Sequence, residues 1–313
     1  CEPLLFNTAS EWKRDKMGEW DYINNKDGVN KVLKLRVDEC APFENVYTLA
    51  LRGLHDRAMN ASNNMSDRKE MLQEALMAQR QMLMDAIGKR AEDIPQAFTP
   101  YKEVLDVYDQ GLELPDDVTI IWPDDNYGYM KRLSSPKEQK RSGRSGVYYH
   151  SSYLGKPHDH LWMNTTSPTL MYEELRKAYD LTADRIWLLN AGDIKSCEFA
   201  VDYFLTMAFD IDSFNFERAA NYRTEWLCGM LGNDYRNEYQ DVINSFYKLA
   251  FARKPEFMGW GYQWATDKHG RERNTDTDFS LANYREVDTR LAEYQRIGNV
   301  AEKILKALPE DKK

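Results

Sequence analysis

The stretch that decides the fold is the run 120–129, Ile-Ile-Trp-Pro-Asp-Asp-Asn-Tyr-Gly-Tyr. It continues an apolar β-type segment that begins at Val118, and it ends in two carboxylates, an amide and two phenols. A short apolar run without alternation is typical of a strand buried on both faces of a parallel sheet. Polar groups just beyond the C-terminal end of such a strand are where barrel enzymes hold their catalytic residues. The run therefore predicts a catalytic or ligand-binding edge.

Three further segments repeat this pattern of an apolar run that ends in polar groups. Residues 45–51 lead into Arg52 and His55-Asp56, residues 146–149 into His150, and residues 185–189 into Asn190 and Asp193. A helical apolar spacing follows each run, and strands that alternate with helices predict parallel βα units. No GxGxxG or GxxxxGK[ST] motif follows any of them, so nothing indicates a phosphate-binding doubly wound sheet. The pattern favours a (β/α)8 barrel.

The count of strands predicts only part of such a barrel. Four clear strands are visible, whereas a (β/α)8 barrel needs eight. We therefore expect an α/β fold in which residues 1–212 form the C-terminal half of a TIM-type barrel, with the earlier strands encoded before Cys1. After Asp212 the β signal ends, and residues 213–313 predict an all-α helical bundle domain. The predicted helices are at about 27–39, 66–91, 101–111, 216–231, 234–253 and 280–308.

Composition excludes two classes of partner. A net charge of −9 argues against nucleic acid as a partner, because the phosphates would repel the chain. The sequence contains no run of 18 apolar residues, so it predicts no membrane-spanning helix. The spacing of the four cysteines fits neither a zinc site nor a dense disulfide framework, which indicates mostly free core thiols.

Carboxylates near strand ends suit the hydrolysis of a glycosidic bond, which needs one protonated and one ionised carboxyl group. The candidates are Glu2, Asp56, Asp124, Asp125 and Asp193. If the strand pleat continues through them, Asp124 and Asp125 cannot both face one pocket, so we expect one to be catalytic and the other structural. The alternative is that both cap a following helix.

Cationic and neutral groups at the strand ends suit an acidic sugar. Arg52 offers a bidentate fork for a substrate carboxylate, although it can instead pair with a neighbouring carboxylate of the barrel. His55 and His150 are candidates for bonding sugar hydroxyls or tuning a carboxylate, and Asn190 for holding a hydroxyl or a water. His158-Asp159-His160 resembles a metal-binding motif, but we interpret it as a loop because no third ligand is near in sequence.

Seven ordered clusters resemble the α-glucuronidases of glycoside hydrolase family 115. They are Cys1-Glu2-Pro3 with Asn7 and Glu11-Trp12; Gly18-Glu19-Trp20-Asp21; Tyr47-Thr48-Leu49 with Arg52-Gly53 and His55-Asp56; Trp122 with Asp124-Asp125-Asn126-Tyr127-Gly128; Gly146-Val147-Tyr148-Tyr149-His150; Trp162 with Asn164-Thr165; and Ile186-Trp187 with Asn190, Gly192-Asp193 and Lys195. The chain departs from the family pattern at Leu49-Ala50-Leu51 and at Ala191, and neither change removes a polar group.

The resemblance implies an inverting, periplasmic or secreted enzyme that removes glucuronic acid, or its 4-O-methyl ether, from xylan or related glucuronylated polysaccharides. It implies no metal or organic cofactor. The catalytic carboxylates carried over are Asp125, or its neighbour Asp124, and Glu2, with the roles of acid and base left open. The substrate-binding residues carried over are Arg52, His55, Asp56, Asn126, Tyr149, His150, Asn190 and Asp193. For oligomeric state, we consider a homodimer through the helical domain.

Two other functions remain open from the residues. One is a metal-dependent TIM-barrel hydrolase that uses His55, Asp125 and His150 as ligands. The other is a barrel that binds acidic sugars without turnover.

Overall fold

The computed structural model describes residues 2–54, 57–60, 64–161, 163–262 and 265–312. Over these ranges the protein is mixed α/β, with one sheet of five strands and many helices. The strands of the sheet are β1 (Tyr47–Thr48), β2 (Gln96–Phe98), β3 (Thr119–Pro123), β4 (Ser145–His150) and β5 (Ala183–Asn190). They lie in the order in which they occur in the chain, and the β1–β2, β2–β3 and β3–β4 pairs are parallel. The predicted α/β class with a parallel sheet is confirmed.

The helices account for most of the remaining chain. The α-helices are α1 (Thr8–Glu11), α2 (Arg14–Met17), α3 (Lys26–Cys40), α4 (Met65–Ile87), α5 (Glu103–Asp109), α6 (Pro168–Asp180), α7 (Ile194–Phe209), α8 (Phe216–Leu231), α9 (Arg236–Ala252) and α10 (Glu286–Ala307). Short 3-10 helices cover Pro3–Leu5, Ala91–Asp93, Glu138–Lys140, Ile211–Ser213, Pro255–Met258, Asn283–Arg285 and Glu310–Lys312.

Three details of the sequence prediction were wrong. Strand β2 was missed, because its three residues are too few to show a pattern and Pro95 precedes them. The apolar spacing predicted a helix after every strand, but no α-helix follows β3. The segment between β3 and β4 is a loop with the 3-10 turn Glu138–Lys140. The β signal also does not end at Asp212, since β6 (Ala265–Thr266) and β7 (Glu272–Arg273) form an antiparallel pair.

Local capping explains where α4 begins and ends. The side chain of Asn64 accepts a hydrogen bond from the backbone N–H of Ser66, which satisfies a free donor of the first turn. Gly88 ends the helix in the left-handed region, at φ 69°, and its N–H donates to the carbonyl of Met84 at 2.9 Å. The predicted helix continued to Ala91 because that glycine was not used as the stop signal.

The chain divides into two compact units, of which the first comprises residues 1–123, 131–148 and 178–187. Its helices α3 and α4 pack together. On α4, Leu72, Leu76 and Leu83 recur at helical spacing and are fully buried. On the same face, the amide of Gln79 bonds both backbone groups of Ala50, at 3.0 and 2.7 Å. Helix α4 thereby fixes the backbone that leads from β1 to Arg52.

The second unit comprises residues 124–130, 149–177 and 188–313. The apolar stripe predicted on α7 is buried, as shown by Tyr203, Phe204 and Met207, and α9 packs against both α8 and α10. The expected boundary at residue 212 between a barrel and a helical domain stays a prediction. Within the described part of the chain, no helix has the length and apolarity needed to cross a membrane.

Candidate active site

The loop 124–130, in the second unit, is built by its own two carboxylates. Directly after β3, Asp124 pairs with Met130 in an antiparallel bridge, and the N–H of Asp125 donates to the carbonyl of Tyr129 at 2.8 Å. Asn126 and Gly128 take positive φ values of 75° and 98°, which close the loop tightly. Neither aspartate caps a helix, because no helix follows, so that alternative was wrong.

Asp124 is buried and occupied entirely by structural contacts. Its Oδ1 accepts the backbone N–H of Asn126 at 3.0 Å, and its Oδ2 accepts that of Gly128 at 3.1 Å. The same carboxylate also accepts the backbone N–H of His150 at 3.0 Å and lies 2.6 Å from the Nδ1 of its ring. Asp124 therefore holds the loop and orients a buried histidine at the end of β4.

Asp125 is half-buried and has an oxygen to spare. Its Oδ1 accepts the backbone N–H groups of Tyr127 and Tyr129 at 2.8 and 3.1 Å. No described residue donates a hydrogen bond to its Oδ2. Burial raises the pKa of this carboxyl group, and the charge of Asp124 adds to the shift, although the two backbone hydrogen bonds oppose it. Such a group holds its proton to higher pH than an ordinary aspartate.

Two buried histidines support the loop from the segment 158–160. The Nε2 of His160 lies 2.7 Å from the carbonyl oxygen of Asn126, so Nε2 carries the proton. Burial lowers the pKa of His160 to about 3, and its buried Nδ1 has no hydrogen-bond partner among the described residues. Both ring nitrogens of His158 face carbonyl oxygens, those of Asp159 at 3.0 Å and Trp260 at 3.1 Å. His158-Asp159-His160 lies in a loop. No described group of three or more His, Cys, Asp or Glu side chains is arranged to hold a metal ion.

With this geometry in hand, comparison with known proteins identifies the family. Residues 1–257 match the family model described as glycosyl hydrolase family 115. The chain belongs to that family.

Solved structures agree with the family assignment. Eleven of their chains match, one of which is described as a family GH115 4-O-methyl-α-glucuronidase with specificity for decorated arabinogalactans. The two chains share 39% sequence identity at a TM-score of 0.91, and the match covers 100% of this chain and 41% of that one. The chain thus spans about two fifths of the length of this family 115 relative. No curated protein matches it.

In this family 115 chain, two of the predicted site residues of the first unit are among the described residues, Glu2 and Arg52. Glu2 is exposed, and its carboxylate accepts the backbone N–H of Thr8 at 2.7 Å. Arg52 is buried and grips Glu103 in a bidentate pair, with Nε–Oε1 and Nη2–Oε2 distances of 3.1 and 3.0 Å. The alternative for Arg52, pairing with a carboxylate of the protein, is therefore confirmed; its contact with substrate stays a prediction.

The other predicted site residues differ in their burial and in their hydrogen bonds. Tyr149 is fully buried, and its hydroxyl donates to the carbonyl of Gly128 at 3.0 Å, so it supports the loop from within the core. The carbonyl of Asn190 accepts the backbone N–H of Ser151 at 3.0 Å, and Asp193 is exposed at the N-cap of α7. His55, Asp56 and Trp162 lie outside the described residues.

Sequence reasoning missed one polar group of the second unit. Lys254 follows α9, and its Nζ donates to the Oγ1 of Thr165 at 2.8 Å. Burial lowers the pKa of Lys254 to about 8, against the opposing charges of Glu256 and Asp125. Lys254 lies after a helix, whereas the polar pattern in the sequence marks the ends of strands, so no sequence signal distinguishes this lysine.

Proposed function

We propose that the protein containing this chain is an α-glucuronidase that releases glucuronic acid, or its 4-O-methyl ether, from side chains of a glucuronylated polysaccharide. Membership of glycosyl hydrolase family 115 and the likeness to a 4-O-methyl-α-glucuronidase support the class of reaction and the acidic sugar. The xylan substrate that the sequence resemblance implies and the decorated arabinogalactan named for the structural neighbour are both candidate polymers.

The observation that carries the proposal is the division of labour between two adjacent aspartates. Both carboxylate oxygens of Asp124 are engaged: together they accept hydrogen bonds from three backbone N–H groups and contact the His150 ring. Asp125 keeps Oδ2 available and has a raised pKa. A glycosidase acid must hold its proton at the working pH and deliver it to the leaving oxygen. We assign that role to Asp125.

An ionised partner is needed on the opposite face of the sugar, and Glu2 is the candidate. In an inverting enzyme this carboxylate activates a water, which requires about 6.5–9.5 Å between the two carboxyl groups. The family resemblance supports inversion, a (β/α)8 barrel completed by other parts of the protein, and a periplasmic or secreted location. Proton NMR of the reaction tests inversion, because it identifies the anomer of the sugar that is released first.

Replacing Asp125 tests the central assignment. In the whole protein, including any sequence on either side of this chain, Asp125→Ala should lower release of glucuronic acid by about 10²- to 10⁴-fold, the usual contribution of general acid–base catalysis. Asp116→Ala removes an aspartate whose side chain is 81% exposed and serves as the matched control. Wild-type release by the Asp125→Ala variant would refute the assignment.

Two other outcomes would indicate a different function. Loss of activity in chelator, with stoichiometric zinc or manganese in the purified protein, would favour the metal-dependent hydrolase. Glucuronate binding without product after long incubation would favour a binding module.

A further inference from the structure

Lys254 is a half-buried cation that forms no ion pair with a described residue. Its Nζ makes one hydrogen bond, to the Oγ1 of the buried Thr165, which leaves two of its three N–H donors unused. Among the described residues, no carboxylate oxygen lies within 4.0 Å of Nζ. An ammonium group that is partly removed from water costs free energy unless it gains a partner, so Lys254 can still accept a negatively charged partner.

Two carboxylates act on Lys254 through their charges. Glu256 and Asp125 both raise its pKa through their charges, although burial lowers it by more. Both oxygens of Glu256 are buried and accept no hydrogen bond from a described residue. Lys254 in turn helps to lower the pKa of His160, which shows that these groups share one electrostatic environment. Lys254 therefore interacts electrostatically with the carboxyl group that we assign as the acid.

The segment 160–166, whose Thr165 bonds Lys254, contains several buried polar atoms that have no hydrogen-bond partner among the described residues. On either side of Thr165, Asn164 is 6% exposed with both amide atoms unpaired, and Thr166 is 2% exposed with its hydroxyl unpaired. His160, which is fully buried, has an unpaired Nδ1. Buried polar groups are nearly always hydrogen-bonded, and each exception needs an explanation. A polar ligand with several oxygens would supply these partners.

We propose that Lys254 binds the carboxylate of the acidic sugar and so selects uronic acids over neutral sugars. This inference rests on the proposed function and names the group that recognises its substrate. Thr165 holds the ammonium group in position, and the unused N–H donors form charge-assisted hydrogen bonds to the incoming carboxylate.

Equilibrium binding to the whole protein tests this role without depending on turnover. Wild type should bind D-glucuronate more tightly than D-glucose. Lys254→Met should weaken glucuronate binding roughly 10- to 100-fold, the range for a hydrogen bond to a charged group, and leave glucose binding unchanged. Lys254→Arg should retain part of the preference. Lys248→Met removes an exposed lysine of α9 and is the matched control.

A second measurement uses wild type alone, in case the neutral variant does not fold. The titratable groups that act on Lys254 or its neighbour His160 are Asp125, Glu256, His150 and His158. Glucuronate affinity should fall as the pH rises through about 8, where Lys254 loses its proton, and glucose affinity should stay constant.

The results separate the two proposals. Unchanged glucuronate affinity in Lys254→Met, no preference for glucuronate in wild type, or a flat profile through pH 8 would each overturn the role of Lys254. A preference that depends on Lys254 in a protein that releases no glucuronic acid would uphold that role and refute the proposed function.

Discussion

Asp124→Asn should destabilise the second unit strongly, although it alters only one oxygen atom. The carboxylate accepts hydrogen bonds from the backbone N–H groups of Asn126, Gly128 and His150, and its Oδ1 also contacts the His150 ring. An amide has one acceptor oxygen and one NH₂ donor. If the oxygen stays at the Oδ1 position, the NH₂ group faces the N–H groups of Gly128 and His150.

The loss of unfolding free energy can be derived from the backbone N–H groups of Gly128 and His150. Each would lose its acceptor inside the protein, and an unsatisfied buried donor costs about 1–3 kcal/mol. The free energy of unfolding should therefore fall by about 2–6 kcal/mol. Asp116→Asn, at an exposed aspartate, should change it by no more than about 0.5 kcal/mol.

Urea unfolding curves of the whole protein, with amide hydrogen exchange of the peptides that cover residues 124–130 and 149–151, measure the effect. Exchange resolves which unit loses protection, so it remains informative if the unfolding shows several transitions. If Asp124→Asn unfolds like wild type and these peptides stay protected, Asp124 does not hold the loop as we describe.

Two further predictions concern the same loop and its histidine. Gly128→Ala should cost about 2–4 kcal/mol in urea unfolding, because φ is 98° and the new Cβ would lie 2.8 Å from the Tyr149 hydroxyl; Gly88→Ala, with φ 69° and open space, should cost only about 1–2 kcal/mol. Because the pKa of His160 is lowered from 6.5 to about 3 in the folded state, wild type should lose about 1.4 kcal/mol of stability per pH unit as the pH falls between those values. His160→Asn should lack that slope in unfolding curves at pH 7, 6 and 5, and parallel slopes in the two proteins would contradict the pKa shift.

The sequence predicted the parts of the fold that a periodic pattern encodes. The helix at 216–231 matches α8, and β3 to β5 appear where apolar runs predicted them. Strand β2 escaped because three residues carry no period. The boundaries of α10 were less accurate, because the segment before Glu286 forms irregular turns whose composition resembles that of a helix start.

The candidate site was predictable only where chemistry follows a strand. The sequence predicted that one of Asp124 and Asp125 is structural, and the contacts of Asp124 support that role for Asp124. The partner of Arg52 is Glu103, 51 residues away, and the lysine beside Thr165 is 89 residues away. Contacts across such separations depend on the tertiary fold, which a single sequence does not reveal by pattern.

The hydrogen bonds of Asp125 have a practical consequence for finding the natural glycan. Both backbone donors bind the same atom, Oδ1, and the Asp125→Asn variant retains an oxygen able to serve them. The Asp125→Asn variant should therefore lose catalytic activity but keep the conformation of the loop 124–130. Immobilised on a column, it would act as a trap that retains intact oligosaccharides from a plant cell-wall digest for mass spectrometry.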